Sequence, residues 1–214
     1  MTVIFYQHLL ELVESGLSEL NASIASGKTS ATPVSETYFL SNWVTKAIKQ
    51  QRFHPSTKQV LIAWQKLSRS QGKNAMLKAA FEEIQRGYRD LLDGRDAFPA
   101  VVEAQIQGLV DAVEEADWEV TLEYPILRKV SNFTDGHASM VMCSEQLVNC
   151  FDGETLTKPL SVYVRGDKVA FIAMARAQGL LLHKVTDYKS KVKYHGEYVL
   201  YPQNNGPIVA ELPS

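Results

Sequence analysis

The stretch from Trp118 to Tyr124, WEVTLEY, decides the fold class, because the spacing of the apolar residues changes there. Its apolar and polar side chains alternate, which is the period of a half-buried strand. Before it, apolar residues recur at helical spacing, as over residues 3–24. After it, SMVMC at 139–143 and LSVYVRG at 160–166 indicate further strands. The sequence therefore predicts an α+β protein with a helical N-terminal half.

The helical half is predicted to contain about five helices, separated by turn signals such as SGKTSATPV and DGRDAFP. The expected ranges are 3–24, 36–52 with Ser35 as N-cap, 55–70, 75–92 and 99–115. The remainder is predicted to be a small α+β part with an antiparallel sheet that ends in a hairpin. We expect two domains, 1–116 and 117–214, or one continuous body.

Composition excludes several classes of protein. Of the 214 residues, 45% are hydrophobic and 21% are charged, as in ordinary soluble globular chains. Two cysteines, Cys143 and Cys150, do not make a secreted disulfide framework. The N-terminus lacks the basic start of a signal peptide, and no uncharged apolar run reaches the ~20 residues that span a bilayer. We expect a cytoplasmic protein without a membrane partner.

No motif with catalytic or ligand-binding spacing stands out. The five histidines are scattered outside any metal-binding spacing, and no glycine-rich phosphate loop occurs. The sequence therefore predicts no catalytic residue, no metal ligand and no cofactor. One alternative stays open in the second half, where Asp167 with Asp187 and Lys189 has the residue types of a metal-dependent nuclease or hydrolase.

Charge is distributed unevenly along the chain. The formal net charge is −2, but residues 41–90 carry ten bases and three acids, and residues 91–124 carry one base and nine acids. No acid occurs between Thr37 and Phe81. Solvated helices usually mix both signs, so an acid-free window of this length predicts a basic surface.

The first interpretation of this window is a helix-turn-helix that binds DNA or RNA. The second helix would be followed by the turn FHP, and the third would begin with the side chains that meet bases. These predicted readers are Ser56, Thr57, Lys58 and Gln59. The predicted phosphate contacts are Lys46, Lys49, Arg52, Arg69 and Lys73.

The second interpretation is a solvated face that balances the acidic block at 91–124, within the chain or in a symmetry mate. It predicts a protein-interaction or structural protein that forms a charge-complementary homo-oligomer. A second basic surface is expected in the C-terminal hairpin, where lysines alternate with Tyr188 and Tyr194. That pattern fits either single-stranded nucleic acid or an edge strand protected by lysines.

Two segments, FLSNWVTKAIKQQRF at 39–53 and GKNAMLKAAFEEI at 72–84, resemble a group of short bacterial proteins of unknown function. The resemblance implies no activity, cofactor or catalytic residue. The first hypothesis for function is therefore a non-catalytic binding or regulatory protein with nucleic acid as its partner. Protein interaction or self-association is the alternative, and a nuclease or hydrolase in the second half comes third.

Overall fold

The computed structural model describes residues 4–213, and the chain divides into two compact units, one ending at Gly94 and the other beginning at Arg95. The helices of the first unit are α1 (Phe5–Ala25), α2 (Pro33–Gln50), α3 (Lys58–Gln71) and α4 (Leu77–Leu92), with 3₁₀ helices at Pro55–Thr57 and Gly72–Ala75. The four helices predicted in this part are confirmed to within a few residues. Residues 1–3 and 214, at the ends of the predicted domains, lie outside the described residues.

α2 begins earlier than predicted because a better cap precedes it. The side chain of Thr32 accepts a hydrogen bond from the backbone N–H of Ser35 at 3.3 Å. Pro33 occupies the first helical position, where its fixed φ and missing N–H are favourable. The predicted N-cap, Ser35, is therefore wrong by about one turn, and α2 has 18 residues.

The core of the first unit depends on a close approach between helices at Gly16. A Cβ at this position would lie 2.7 Å from Phe81 Cε2 and 3.3 Å from Trp43 Cη2. The ring of Phe81 also lies 4.5 Å from the ring of Trp64, measured between centroids. One buried aromatic cluster thus joins residues of α1, α2, α3 and α4, and it holds the outer faces of α2 and α3 in fixed positions.

The second unit is a sheet with helices on one face. Its helices are α5 (Glu103–Glu115), α6 (Ser144–Asn149) and α7 (Lys168–Ala177), with a 3₁₀ helix at Pro202–Asn204. Its strands are β1 (Glu119–Thr121), β2 (Ser139–Met142), β3 (Phe151–Asp152), β4 (Thr155–Leu156), β5 (Leu160–Arg165), β6 (Leu182–Thr186) and β7 (Gly196–Leu200). The main sheet has the order β1-β2-β5-β7-β6, and β3 and β4 form a separate hairpin.

Both faces of the main sheet are covered. In β2, Met140 and Met142 face a core formed with α5 and α7, whereas Val141, and Cys143 directly after the strand, face the other side. On that other side, Ile126 and residues near it cover the sheet without a helix. Loops therefore form the outer surface of this unit over the second face.

The α+β class with a helical N-terminal half is confirmed, and two details differ. β1 pairs with β2 in parallel, so the sheet is mixed, although its other pairs are antiparallel as predicted. The fifth helix begins at Glu103 instead of residue 99, because Val102 bridges Thr155 in extended conformation. The predicted boundary at 116 marks the change from helix to strand, whereas the compact units divide near Gly94 because α5 packs on the sheet.

Candidate nucleic-acid interface

The acid-free window folds into α2, α3 and the turn between them, which pack as an antiparallel hairpin. Gln65 Nε2 of α3 donates to Thr45 Oγ1 of α2 at 3.3 Å, about two turns from the connecting turn on each helix. α2 also contacts the 3₁₀ helix Gly72–Ala75, which follows the far end of α3. The helices of a helix-turn-helix diverge from their turn at a large angle and could not keep both contacts. The predicted helix-turn-helix is therefore wrong, although both of its helices are present.

Most cations of the window are exposed and have no acidic partner. Within residues 4–213, six of these side chains lie beyond ion-pair distance of every carboxylate. They are Lys46, Lys49, Lys58, Lys66, Arg69 and Lys73. Five of the six belong to the predicted site, and Lys66 is an addition. The uncompensated charge expected from the sequence is therefore present on the surface.

Three of these cations border the seam between the two helices. Lys49 lies one turn after Thr45, and Arg69 lies one turn after Gln65, so both share the faces that meet in the interhelical hydrogen bond. Lys58 lies two turns before Gln65 on the same face of α3. We call this feature, bordered by Lys49, Lys58 and Arg69, the α2–α3 groove.

Arg52 has a structural partner, unlike the other predicted phosphate contacts. Its guanidinium pairs with the carboxylate of Glu19 in α1 at 2.5 Å. It also lies 5.4 Å from the ring centroids of Trp43 and Phe53. The hydrogen bond from Arg52 lowers the pKa of Glu19. Arg52 therefore ties the end of α2 to α1, and we leave it out of the candidate interface.

Two of the predicted readers also have internal roles. Thr57 is fully buried, and its hydroxyl donates to the His54 carbonyl at 2.9 Å. Ser56 is half-buried, and its backbone N–H donates to His54 Nδ1 at 3.2 Å. The ring of His54 in turn stacks on His8 at 3.9 Å between centroids. The 3₁₀ helix at 55–57 folds these groups inward, so Lys58 and Gln59 are the exposed members of the predicted set.

Lys78, just before the end of the acid-free window, differs from these six cations because it has acidic partners. Its Nζ lies 2.8 Å from the Glu36 carboxylate of α2 and 3.9 Å from Glu82. The hydrogen bond to Glu36 raises the pKa of Lys78. Glu36 is itself buried, so this pair fixes α4 against α2. The basic surface therefore ends before α4.

A cavity of about 520 Å³ opens beside the groove, between the end of α2 and the start of α3. Most of its walls are apolar, and its polar lining residues are Gln51, His54, Thr57 and Lys58. The apolar lining residues include Ala47, Ile48, Phe53, Pro55 and Leu61. An apolar hollow next to exposed lysines suits a flat ring carried by an anion. Phe53 and Pro55, apolar residues within a turn, are the sequence signal that could have revealed it.

In the second unit, the two aspartates of the predicted nuclease or hydrolase site have structural roles. Asp167 caps α7, where its Oδ1 accepts from the backbone N–H groups of Val169 and Ala170 at 2.9 and 3.2 Å. Asp187 is paired with Lys168, and its other oxygen lies 3.9 Å from Lys184. Across residues 4–213, no three His, Cys, Asp or Glu side chains are grouped to hold a metal ion, and no helix is long and apolar enough to cross a bilayer.

Comparison with known proteins identifies a family whose function is not described. The family model described as "Protein of unknown function (DUF2913)" matches residues 4–213. No curated protein and no solved structure matches the chain. The match covers both compact units and includes the two segments that resemble proteins of unknown function. The chain therefore belongs to the DUF2913 family.

Proposed function

We propose that the protein is a non-catalytic, regulatory nucleic-acid-binding protein that holds phosphates with the cations of the α2–α3 groove. The observation that carries the proposal is the set of six exposed cations without an acidic partner in the described part of the chain. Each phosphate that a lysine or arginine neutralises releases counterions, which favours binding. DNA or RNA is the partner that best uses several unpaired cations.

The contrast with the paired cations of the same unit supports this proposal. Arg52, Lys78 and Arg89 each have a carboxylate partner within 2.8 Å. Where a cation fixes one helix to another, an acid is thus present. The cations of the groove have no such structural role, and leaving them unpaired keeps them free for an external anion.

A salt titration with charge-reversal variants tests the proposal. Fluorescence anisotropy should detect binding of a labelled DNA or RNA duplex at about 50 mM salt, with log K falling linearly as log salt rises. The double variant K49E/K58E should weaken binding at least tenfold and reduce the salt slope by roughly two, because two phosphate contacts are lost.

Lys28→Glu and Lys49→Glu form a matched pair of single variants. Lys28 is exposed in the loop before α2, so its reversal changes the net charge equally but lies outside the groove. The Lys28 variant should bind as the wild type does. Absence of any binding at about 50 mM salt, or an equal loss in the two single variants, would show that the groove is not the interface.

The proposal includes a cellular compartment and a source. Both cysteines are buried and free, which suits a reducing compartment, and we propose the cytoplasm. The resemblance of residues 39–53 and 72–84 to bacterial proteins supports a bacterial source.

Self-association is the second candidate, and an acidic face on α5 favours it. Within the described residues, the exposed acids of this helix form no ion pair with a lysine or arginine. They are Glu103, Asp111, Glu114 and Glu115. Unpaired acids and unpaired cations on the same chain could pair between two copies of it.

A further inference from the structure

Two loops of the second unit pair with each other and form a basic surface. The backbone N–H of Val130 donates to the Lys191 carbonyl at 2.8 Å, and the N–H of Lys193 donates to the Val130 carbonyl at 2.9 Å. Val130 and Val192 thereby form an isolated parallel bridge. The two segments therefore run side by side in the same direction.

The side chains next to this bridge are cationic and point outward. Val192 is fully buried and Val130 is half-buried, so the alternating neighbours Lys129, Lys191 and Lys193 are exposed. Lys129 and Lys191 occupy equivalent positions on the two paired segments. Residues 127–137 and 189–195 carry five Lys or Arg and one acid, Asp135. Placing like charges opposite each other is unfavourable unless an anion joins them.

Two aromatic rings stand out from the same surface. Phe133 is 89% exposed and Tyr194 is 77% exposed. Their neighbours in the chain are linked through β2 and β5: Thr134 accepts a hydrogen bond from Arg165 at 3.3 Å, Arg165 is paired with Ser139, and the Ser139 hydroxyl contacts His195 at 2.8 Å. Tyr194 has a φ of 66°, a conformation that is unfavourable for a bulky side chain. Strain of this kind persists only where the surrounding structure imposes it.

A buried polar network imposes the conformation of Tyr194. The turn from Val192 to His195 is closed by the His195 N–H, which donates to the Val192 carbonyl at 3.2 Å. His195 Nδ1 donates to the Lys193 carbonyl at 2.8 Å, so Nε2 accepts from the Ser139 hydroxyl, also at 2.8 Å. Burial lowers the pKa of His195, which keeps the ring neutral.

The same network excludes a catalytic interpretation of the Ser139–His195 pair. A serine hydroxyl hydrogen-bonded to an imidazole resembles a nucleophile and its base. However, both side chains have 0% exposure, so no substrate reaches them. The hydroxyl of Ser190 adds contacts of 2.6 Å and 2.8 Å to the carbonyls of Val192 and His195. These groups hold the turn that presents Lys193 and Tyr194.

We propose that this surface binds single-stranded nucleic acid, with bases stacked on Phe133 and Tyr194 and phosphates held by the adjoining cations. We call it the Phe133–Tyr194 patch, and its cations are Arg128, Lys129, Lys191 and Lys193. Open aromatic faces beside a basic surface are what unpaired bases require, and a duplex does not offer its base faces. The patch lies in another unit than the α2–α3 groove and takes another form of ligand, so it goes beyond the function proposed above.

An anionic membrane is the competing partner for a basic surface with exposed apolar groups. The observations favour the single strand, because two of the three large apolar side chains exposed here are aromatic rings. The third is Leu127, which is 70% exposed. Surface binding to a bilayer typically uses an amphipathic helix with a continuous apolar face. These rings instead stand on two non-helical segments, where flat rings with free faces beside cations suit stacking with bases.

Binding of the intact protein to a fluorescein-labelled thymidine 12-mer tests the patch. The double variant F133A/Y194A should lower the affinity at least tenfold, since removal of a stacking ring costs roughly tenfold for each base. Tyr38→Ala removes a ring that is 55% exposed on α2, and it should leave the affinity unchanged. Because all three rings are exposed, circular dichroism should show that each variant is folded.

Two comparisons separate this proposal from the groove and from a membrane. K49E/K58E should retain binding of the 12-mer, while F133A/Y194A should retain any binding of a duplex. The patch proposal fails if the wild type does not bind the 12-mer or if F133A/Y194A binds it with wild-type affinity. It also fails if phosphatidylserine vesicles, and not the 12-mer, bind the wild type in a manner that depends on Phe133 and Tyr194.

Discussion

His183 is a buried titratable residue in β6 with little room around it. The side chain is 2% exposed, and its ring lies perpendicular to that of Tyr201 at 5.1 Å between centroids. Gly206 packs directly against the imidazole, where a Cβ would overlap it. Burial lowers the pKa of His183 from 6.5 to about 4. The ring is therefore neutral in the folded protein near neutral pH.

Stability should fall as the pH falls from about 6.5 to about 4. Between these values the unfolded chain binds a proton at His183 and the folded protein does not, so acid favours unfolding. His183 should contribute a loss of about 3 kcal/mol in the free energy of unfolding at pH 4 relative to pH 7. Urea denaturation at several pH values measures this loss.

The variants H183Q and H137Q provide the control for this prediction. His137 is exposed, so H137Q replaces a histidine with glutamine without changing the core. H183Q should flatten the dependence, with a residual slope of the same sign from His195, whose pKa burial also lowers. An unchanged pH dependence in H183Q would contradict the assignment.

At the scale of elements, α1 meets α2 and α4 through Gly16. Gly16→Ala should raise the intrinsic helix propensity by about 1 kcal/mol. Its Cβ would nevertheless lie 2.7 Å from Phe81, which is fully buried and cannot move into solvent. We expect a net loss of about 1–3 kcal/mol in the free energy of unfolding, measured by chemical denaturation.

Ser18→Ala is the matched control for Gly16→Ala, because residue 18 is exposed on the same helix. Its effect should stay within about 0.5 kcal/mol. Phe81→Leu should make room for the new methyl group, so Gly16→Ala should cost less in that background than in the wild type. Equal losses of stability in both backgrounds would mean that the ring of Phe81 is not what opposes the added methyl group.

At the scale of the molecule, charge separates between the two units. Residues 1–94 carry eleven bases and eight acids, and residues 95–214 carry eleven bases and sixteen acids, for net charges of +3 and −5. If copies of the chain associate through opposite charges, light scattering should show an assembly at low salt and a monomer at about 1 M salt, where screening is nearly complete. A monomer at every salt concentration would exclude this mode of association.

The sequence was sufficient wherever local pattern decides the structure. Helical spacing located α1 to α4, and alternation located β2, β5 and the pairing of β6 with β7. The short α6 and the β3–β4 hairpin were not predicted, because segments of a few residues carry too little periodicity.

Tertiary structure alone decided which of the predicted site residues are exposed and unpaired, and so can contact a ligand. Arg52 and Lys49 look alike on a helical wheel, but Arg52 meets Glu19, which lies 33 residues away in the chain. Thr57 is fully buried, and α2 and α3 run side by side, which ruled out the expected helix-turn-helix. The Phe133–Tyr194 patch likewise joins two segments about sixty residues apart. The pattern of a sequence determines on which face of a helix or strand each residue lies. Ion pairs and binding surfaces depend in addition on which distant elements pack against that face.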